Sequence, residues 1–402
     1  MRIFIMLLIS AALCTNVICH QAAAKEEKSG ASWIQFRGPN AQGIAANAQP
    51  PLEWSETNNI AWKVSLPWHG KSSPVVTGGR IWFTTSTEQG TQPKRIGPDN
   101  MTVADHITLG AACFDSANGK CLWQVTMFER GRPDPTHEFN SWATPTPVID
   151  GGRLYCDFGT YGTACLEAET GKILWKLQIP LNHQVGPGSS PFVYGNLLIL
   201  IRDGLDAQFV MALDKNNGQT AWTTTRPPLT NIGDAGMRKA FSTPIIIESG
   251  GQTQLIAQAP QWIVALDPQS GSEIWRMRHS QGWSFGSVPL FSRDKLYLCT
   301  GCMVADLLAL RVDGNSGEVS ETRVAWRTKG QIPIMSTPVI ADDLLYCVAD
   351  NGTVSCFDPE NGTLYWRKQI TGIYPRPVLR TDSLCVCRCL GHEKHRQSGI
   401  SL

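Results

Sequence analysis

The sequence predicts an all-β fold, a β-propeller of four-stranded blades, and three observations predict it. A spacing of acid, glycine and tryptophan recurs along the chain, a Ser/Thr-Pro signature precedes each copy, and short β-rich runs separated by Gly, Asn and Asp turns lie between them. Repetition with a period of roughly 40–60 residues indicates an array of similar supersecondary units. Four short strands per unit around an axis make a propeller, and a linear solenoid is the alternative.

The acid–glycine–tryptophan repeat indicates a turn followed by an outer strand. An Asp that opens a tight turn accepts hydrogen bonds from backbone N–H groups, and the glycine suits a left-handed backbone position. The tryptophan offers a large flat face to a neighbouring unit. We therefore predict that the acids cap turns rather than act in catalysis. The strict copies are Asp115/Gly119/Trp123, Asp214/Gly218/Trp222, Asp267/Gly271/Trp275 and Asp358/Gly362/Trp366; Glu167/Gly171/Trp175 and the longer Asp313/Gly317/Trp326 are variants.

The Ser/Thr-Pro signature marks the expected first strand of each unit, where proline needs no ladder N–H. It begins at Ser73, Thr146, Ser190, Thr243 and Thr337, with looser forms at Val288-Pro289-Leu290 and Arg376-Pro377-Val378-Leu379. These positions predict six full repeats and an incomplete last blade. Asn59–Val64 carries a lone tryptophan ahead of the first signature, so we expect it to supply the outermost strand of the last blade and to cover the open edges of the ring.

The ends of the chain differ from the repeats. Residues 1–24 have the pattern of a cleaved signal peptide, with an uncleaved membrane anchor as the alternative. Residues 25–58 form a lead-in segment, 59–380 the propeller, and 381–402 a divergent tail that we interpret as truncated or frame-shifted. The Cys/His tract of this tail, from Cys385 to His395, has enough donors for zinc but no predicted fold around it.

Charge and export restrict the partners. The formal net charge is +1, and removal of Arg2 with the signal peptide leaves a neutral protein. Neutrality argues against nucleic acid and against strong membrane binding as the main interaction. The predicted location is periplasmic or secreted, where disulfides are permitted.

Two cysteine pairs are placed alike in the repeats. Hairpin counting around Asn351-Gly352 places Cys347 opposite Cys356, and Cys156/Cys165 have the same spacing. Either pair is a cross-strand bridge or, as we favour, two buried small apolar side chains. Cys299-Thr300-Gly301-Cys302 is a lone CxxC motif.

The repeat resembles that of exported PQQ-like (pyrroloquinoline quinone, quinoprotein-like) propellers of the planctomycete type, as seen at Leu213-Asp214, Leu266-Asp267 and Phe357-Asp358. The opening Trp33-Ile34-Gln35-Phe36-Arg37-Gly38-Pro39-Asn40 looks like the start of such proteins. The resemblance implies seven or eight blades and a relation in fold to the outer-membrane assembly propeller lipoprotein. Quinone dehydrogenases of this family carry PQQ with calcium and an adjacent-cysteine disulfide. This chain has no adjacent cysteine pair and no evident acid/amide calcium cluster, and it lacks the lipoprotein's anchor signal.

We expect a non-catalytic binding or protein-interaction scaffold of the cell envelope without a cofactor, and the alternative is a PQQ-dependent dehydrogenase acting on a small alcohol or sugar. In a propeller, the segments that lead into the first strands share one face with the loops between the middle strands. A protein or small-molecule ligand is expected on this loop face. The long loop at about Thr85–Thr108 should overhang it. The candidate residues are His137, Glu138, Asn140, His183, Arg202, Asp206, Arg238 and Trp283.

Overall fold

The computed structural model describes residues 32–45, 48, 50–51, 53, 55, 57–97, 99–279, 286–301 and 305–370. The signal-peptide prediction, Cys302, Trp283, the last blade predicted from Arg376 and the 381–402 tail lie outside these residues. The described part of the chain consists of short strands and three 3-10 turns at Gly159–Tyr161, Ala235–Arg238 and Glu321–Arg323. None of its helices is long and apolar enough to span a membrane.

The repeats fold into six consecutive antiparallel sheets, here called blades 1 to 6, in the described residues. Blade 1 comprises β1 Val75–Thr77, β2 Arg80–Gln89, β5 His106–Asp115 and β6 Cys121–Gly131. Its long β2–β5 connection contains β3 Gln92–Ile96 and β4 Asp99–Val103, which form a small sheet with β7 Thr136–His137. Blade 2 comprises β8 Val148–Asp150, β9 Arg153–Asp157, β10 Thr163–Glu167 and β11 Ile173–Leu177. Blade 3 comprises β12 Phe192–Tyr194, β13 Leu197–Asp203, β14 Gln208–Asp214 and β15 Thr220–Thr225.

The later blades keep the same order, with one added strand. Blade 4 comprises β16 Ile245–Ser249, β17 Gln252–Gln258, β18 Trp262–Leu266 and β19 Glu273–Arg278, and β23 Gly317–Val319 pairs with its outer strand in parallel. Blade 5 comprises β20 Leu290–Ser292, β21 Lys295–Cys299, β22 Asp306–Arg311 and β24 Val324–Lys329. Blade 6 comprises β25 Val339–Ala341, β26 Leu344–Val348, β27 Thr353–Phe357 and β28 Leu364–Gln369. The all-β propeller prediction is confirmed.

The apolar core is divided among the gaps between neighbouring blades. Alternation along each strand sends side chains to both faces of a sheet, so every middle blade contributes to two clusters. In blade 2, Cys156 packs with blade 1 while Cys165 packs with blade 3. In blade 6, Cys347 packs against blade 5 while Cys356 lies in a cluster on the opposite face. Adjacent blades therefore hold one another through face-to-face burial.

The cysteine registers correct the hairpin count. Cys347 stands opposite Ser355 and Cys356 opposite Tyr346. The connecting turn runs over Ala349–Gly352, one residue different from the count that the sequence suggested. A shift of one residue moves a side chain to the other face of the sheet. Cys156 and Cys165 are offset in the same way, and all four thiols are free and buried. They are small apolar side chains of the core.

The glycine of each regular turn packs against the tryptophan of the preceding blade rather than against the tryptophan of its own repeat. A Cβ on Gly171 would lie 2.9 Å from the Trp123 ring. The other contacts of this kind are Gly218 with Trp175 at 2.9 Å, Gly271 with Trp222 at 2.4 Å and Gly362 with Trp326 at 2.7 Å. The indole of Trp175 also donates to Lys215 O in the turn of blade 3, at 3.0 Å. Each repeat thus supplies the glycine for one gap between blades and the tryptophan for the next.

Trp62 occupies the equivalent place ahead of the first repeat. It packs against Gly119 of blade 1, and its indole donates to Ser116 O at 2.9 Å. The strand predicted for Asn59–Val64 is nevertheless wrong, because residues 60–66 form no strand. Only the position of the Trp62 indole, against the turn glycine of the next blade, matches that of the tryptophans in the repeats.

Trp366 lies at the other end of the described array, on the outer strand β28 of blade 6. Its ring lies 6.3 Å, between centroids, from that of Tyr346 in the same sheet, and it packs against the cluster that contains Cys356. The incomplete last blade, predicted from the signature at Arg376, would follow it in the array and lies outside the described residues. Its predicted contact with a following unit therefore stays a prediction.

The repeat of blade 5, Asp313/Gly317/Trp326, departs from this pattern because of its insertion. Residues after Gly317 form β23 and extend blade 4, so this glycine receives no tryptophan in the described structure. Trp275, which would have packed there, is fully buried and donates instead to Gln254 Oε1 at 2.8 Å. The insertion between Gly317 and Trp326 thus allows Gly317–Val319 to form the fifth strand of blade 4.

Residues 32–45 contact the first strands of four blades or the residues beside them. Trp33 bridges to Val76 in blade 1, and the Ile149 N–H of blade 2 donates to Ile34 O at 2.9 Å. Further along, Arg37 donates to Pro338 O beside blade 6 at 3.0 Å, and Gln42 Oε1 accepts from the Phe291 N–H of blade 5 at 3.1 Å. The segment that opens the family resemblance therefore joins blades 1 and 2 to blades 5 and 6.

Candidate functional site

The segments that lead into the first strands of blades 2, 3 and 4 form one interlocked face. Asn140 Nδ2 donates to Val185 O at 2.9 Å and to Pro187 O at 3.0 Å. Asp206 Oδ1 accepts from the Asn182 N–H at 3.0 Å, and Arg238 donates to Leu205 O at 3.2 Å. Three of the predicted face residues, Asn140, Asp206 and Arg238, therefore join neighbouring segments by hydrogen bonds. These bonds hold the loop face in one arrangement.

The small β3–β4–β7 sheet extends the same face. His137 lies on β7, and its Nδ1 accepts from the Phe139 N–H at 3.2 Å. The backbone carbonyl of Glu138 accepts from Lys71 Nζ at 3.1 Å, and its carboxylate accepts from Asn100 at 3.2 Å. The long insertion of blade 1 thus joins the segment leading into blade 2, as expected for a loop that overhangs this face.

Arg202 is a buried structural cation. Its guanidinium donates to both carboxylate oxygens of Asp157, at 2.7 and 3.0 Å, and to Thr163 Oγ1 at 3.0 Å. A second buried pair, Arg226 with Asp203 at 3.0 Å, lies nearby in the chain, and burial raises the pKa of the Asp203 carboxyl despite the attraction of Arg226. Sequence reasoning missed Asp157 and Arg226 because ion pairing depends on tertiary proximity.

His183 and Lys239 are the unusual members of this face. Both ring nitrogens of His183 and the ammonium of Lys239 are buried without a hydrogen-bond partner within the described part of the protein. Burial, reinforced by Lys239 and Arg202, holds the pKa of His183 well below its ordinary value. Burial also lowers the pKa of Lys239 to about 7, although Asp134 acts in the opposite direction. Lys239 was not among the predicted face residues, and only its position next to the candidate residue Arg238 could have drawn attention to it.

Large apolar side chains are exposed in several segments leading into first strands: Phe139 before blade 2, Met335 before blade 6, and Ile60, Val64 and Leu66 before blade 1. Phe139 is 52% exposed beside His137, with ring centroids 5.0 Å apart. Met335, in the segment before blade 6, is 53% exposed. Neither was among the predicted face residues. Among the described residues, no group of three or more His, Cys, Asp or Glu side chains could hold a metal ion.

The repeat acids lie at the opposite turns and bind backbone. Asp115 Oδ1 accepts from the N–H groups of Ala117 at 2.9 Å and Asn118 at 3.2 Å. The corresponding acids in blades 3, 4 and 6 accept from the N–H two residues on at 2.7 to 3.0 Å; they are Asp214, Asp267 and Asp358. These carboxylates are engaged in turn geometry.

Comparison with known proteins identifies the repeat family. The family described as outer membrane protein assembly factor BamB matches residues 110–282 and 259–388, more than half of the chain. Curated relatives include BamB of Yersinia pestis, 21% identical over 64% of this chain and 52% of that protein, and BamB of Moranella endobia, 24% identical over 68% and 66%. The beta-alanine-activating enzyme of Drosophila melanogaster is 26% identical over 57% of this chain. The chain spans only about a fifth to two thirds of these relatives.

Solved structures with similar folds include proteins of two kinds. BamB from Moraxella catarrhalis superposes with a TM-score of 0.45 at 14% identity, covering 72% of this chain and 78% of that one. A quinohemoprotein alcohol dehydrogenase from Pseudomonas putida gives a TM-score of 0.49 at 14% identity, covering 84% of this chain and 72% of that one.

Proposed function

We propose that this chain, which belongs to the PQQ-like family described as outer membrane protein assembly factor BamB, is a non-catalytic protein-interaction scaffold of the cell envelope. The proposed role is in outer-membrane protein assembly, and the description of the matching family supports it. A cleaved signal peptide and a periplasmic or secreted location are part of the proposal. Two curated relatives carry the same name and support it.

The single observation that carries the proposal is the pair of exposed apolar side chains on loops leading into first strands. Aromatic residues and methionine are enriched in protein interfaces, whereas exposed single leucines elsewhere need no explanation. Phe139 stands between Glu138 and Asn140, and Met335 is followed by Ser336, so both apolar side chains adjoin polar ones. An apolar anchor within a polar rim is the common arrangement of a binding surface.

The support beneath these anchors is rigid, which lowers the entropic cost of binding. Asn140 follows Phe139 directly and is hydrogen-bonded to two carbonyls of the next segment. The partner that fits is a protein presenting an apolar pocket or edge to this face.

The test is complementation in a host from which the gene has been deleted. A double variant, Phe139→Ser with Met335→Ser, should fold normally but fail to restore the level of assembled outer-membrane proteins. Leu174→Ser is the matched control, because Leu174 is 42% exposed on the outer strand β11 of blade 2. Full complementation by the double variant would refute the proposal. Tight, calcium-dependent uptake of one PQQ per chain, with dye reduction, would refute its non-catalytic part and favour the dehydrogenase.

A further inference from the structure

Two buried basic side chains on the loop face, Lys239 and His183, lack the hydrogen-bond partners that burial demands. Lys239 is 1% exposed and His183 is 7% exposed, and neither Lys239 Nζ nor either ring nitrogen of His183 has a hydrogen-bond partner in the described residues. Buried polar groups in proteins are almost always hydrogen-bonded, and a buried charge is usually paired. These unpartnered nitrogen atoms therefore indicate a hydrogen-bonding partner that the described residues do not supply.

Both side chains contact residues that offer them no hydrogen bond, because His183 packs against Gly159 and Lys239 faces an aromatic ring. A Cβ on Gly159 would lie only 2.4 Å from His183 Nε2. The Lys239 ammonium lies 5.1 Å from the centroid of the Phe241 ring, and a Cβ on Gly188 would lie 2.6 Å from that ring. The aromatic face gives Lys239 some electrostatic stabilisation but no hydrogen bond.

The positive charges around Lys239 and His183 are not all neutralised by carboxylates in contact with them. Arg202 is neutralised by Asp157, with which it forms two hydrogen bonds, although its Nε is also without a partner among the described residues. Asp134 acts electrostatically on Lys239 but does not reach hydrogen-bonding distance of its ammonium. Lys239 and Arg202 both act on His183 electrostatically, so these groups share one region. In the described structure, one cation of this region is therefore left without a counter-charge in contact with it.

We propose that Lys239 and His183 form a binding site for a carboxylate group, which accepts hydrogen bonds from the Lys239 ammonium and a His183 ring N–H. A carboxylate carries one negative charge and two acceptor oxygens, which matches one uncompensated cation and one additional donor. A phosphate would bring a second charge, for which the described residues of this region offer no second uncompensated cation. Ser189 Oγ, also buried without a partner in the described structure and in the same segment as His183, offers a further donor. The site does not depend on the proposed scaffold function.

The first test measures carboxylate binding to the full-length protein with sodium acetate as the probe and sodium chloride at equal ionic strength as the reference. Acetate should raise the midpoint of thermal unfolding by mass action, whereas chloride should not. Lys239→Met should abolish the difference. Lys176→Met is the matched control, because the Lys176 ammonium also faces a phenylalanine, at 5.6 Å from Phe128, but donates to Met127 O. It should retain the full response.

A second measurement keeps the proposal testable if Lys239→Met fails to fold. In wild-type protein labelled with ¹³C at lysine Cε, the Lys239 resonance should titrate at a higher pH in acetate than in chloride, because a bound anion favours the charged amine. A short peptide with a free C-terminus, compared with its amide, distinguishes a peptide source from a free acid; a response to either carboxylate supports the site. Identical unfolding and identical Lys239 titration with acetate, peptide and chloride would overturn it.

Discussion

The backbone N–H of Ser73 donates a 2.9 Å hydrogen bond to the hydroxyl of Thr146, the equivalent residue of the next blade. The Thr146 N–H donates in the same way to Ser190, and the Ser190 N–H donates to Thr243, each at 3.0 Å. The Val288 N–H donates to Thr337 at 2.9 Å. The hydroxyls of Thr146, Ser190, Thr243 and Thr337, each before a proline, are therefore acceptors between blades, which explains why Ser or Thr recurs there. Val288 is the exception and offers no hydroxyl to blade 4.

Replacement of Thr146 by Val should destabilise the propeller. The substitution keeps the shape of the side chain but leaves the buried Ser73 N–H without an acceptor, which costs about 1–3 kcal/mol. The free energy of unfolding from urea titration checks this. Thr146→Ser should lose less than half as much. Thr223→Val on the exposed outer strand of blade 3 should change stability by less than about 0.5 kcal/mol. An equal loss in both valine variants would contradict the role of the hydroxyl.

Gly271→Ala should be costly for two reasons. Its φ of +73° is unfavourable for a side chain, and the new Cβ would lie 2.4 Å from the Trp222 ring. We expect a loss of about 3 kcal/mol in the free energy of unfolding. Gly195→Ala separates the two terms, because Gly195 has a φ of +54° with nothing within 4 Å of the new Cβ. That variant should lose only about 1 kcal/mol. Equal losses would show that the indole contact contributes nothing.

The buried cysteines should stay reduced and unreactive. Burial raises the pKa of Cys165 and of Cys356 to about 11, and the thiolate is the reactive form. Iodoacetamide at pH 8 should label the exposed Cys121 in the native protein and leave these two thiols unlabelled, and a parallel sample of native protein is exposed to oxidised glutathione instead. Mass spectrometry after unfolding should then find Cys156, Cys165, Cys347 and Cys356 as free thiols. A Cys347–Cys356 or Cys156–Cys165 bridge would contradict the strand registers.

Stability should depend on pH through Lys239. Its pKa is about 7 in the folded protein and near 10.5 in an unfolded chain, so between these values the unfolded state binds one more proton. Stability therefore rises with pH across this window, by up to about 1.4 kcal/mol per unit, and is independent of this group below pH 7. In carboxylate-free buffer, the free energy of unfolding of wild type minus that of Lys239→Met should increase from pH 7 to 10. A flat difference for Lys239 over this range would be evidence against its burial as a lysine without a partner.

The loop face could be predicted only in outline. Topology places His137, Asn140, His183, Asp206 and Arg238 on connecting segments, and the structure joins several of these segments by hydrogen bonds. Lys239, Asp157 and Phe139 were not predicted, because burial and pairing of single side chains depend on residues distant in sequence. Trp283 lies outside the described residues.

The sequence by itself determined the repeating unit, because each turn, signature and strand is specified by neighbouring residues: Asp115 binds the N–H groups that follow it, and the Gly119 backbone is left-handed. Only the tertiary structure decided which side chains meet across blades. Packing between elements decides the pairing of Gly218 with Trp175, the one-residue register that separates Cys347 from Cys356, the contacts of residues 32–45 with four blades, and the isolation of Lys239. Local backbone preferences carry no information about those long-range contacts, whereas burial and unmet hydrogen bonds follow from them.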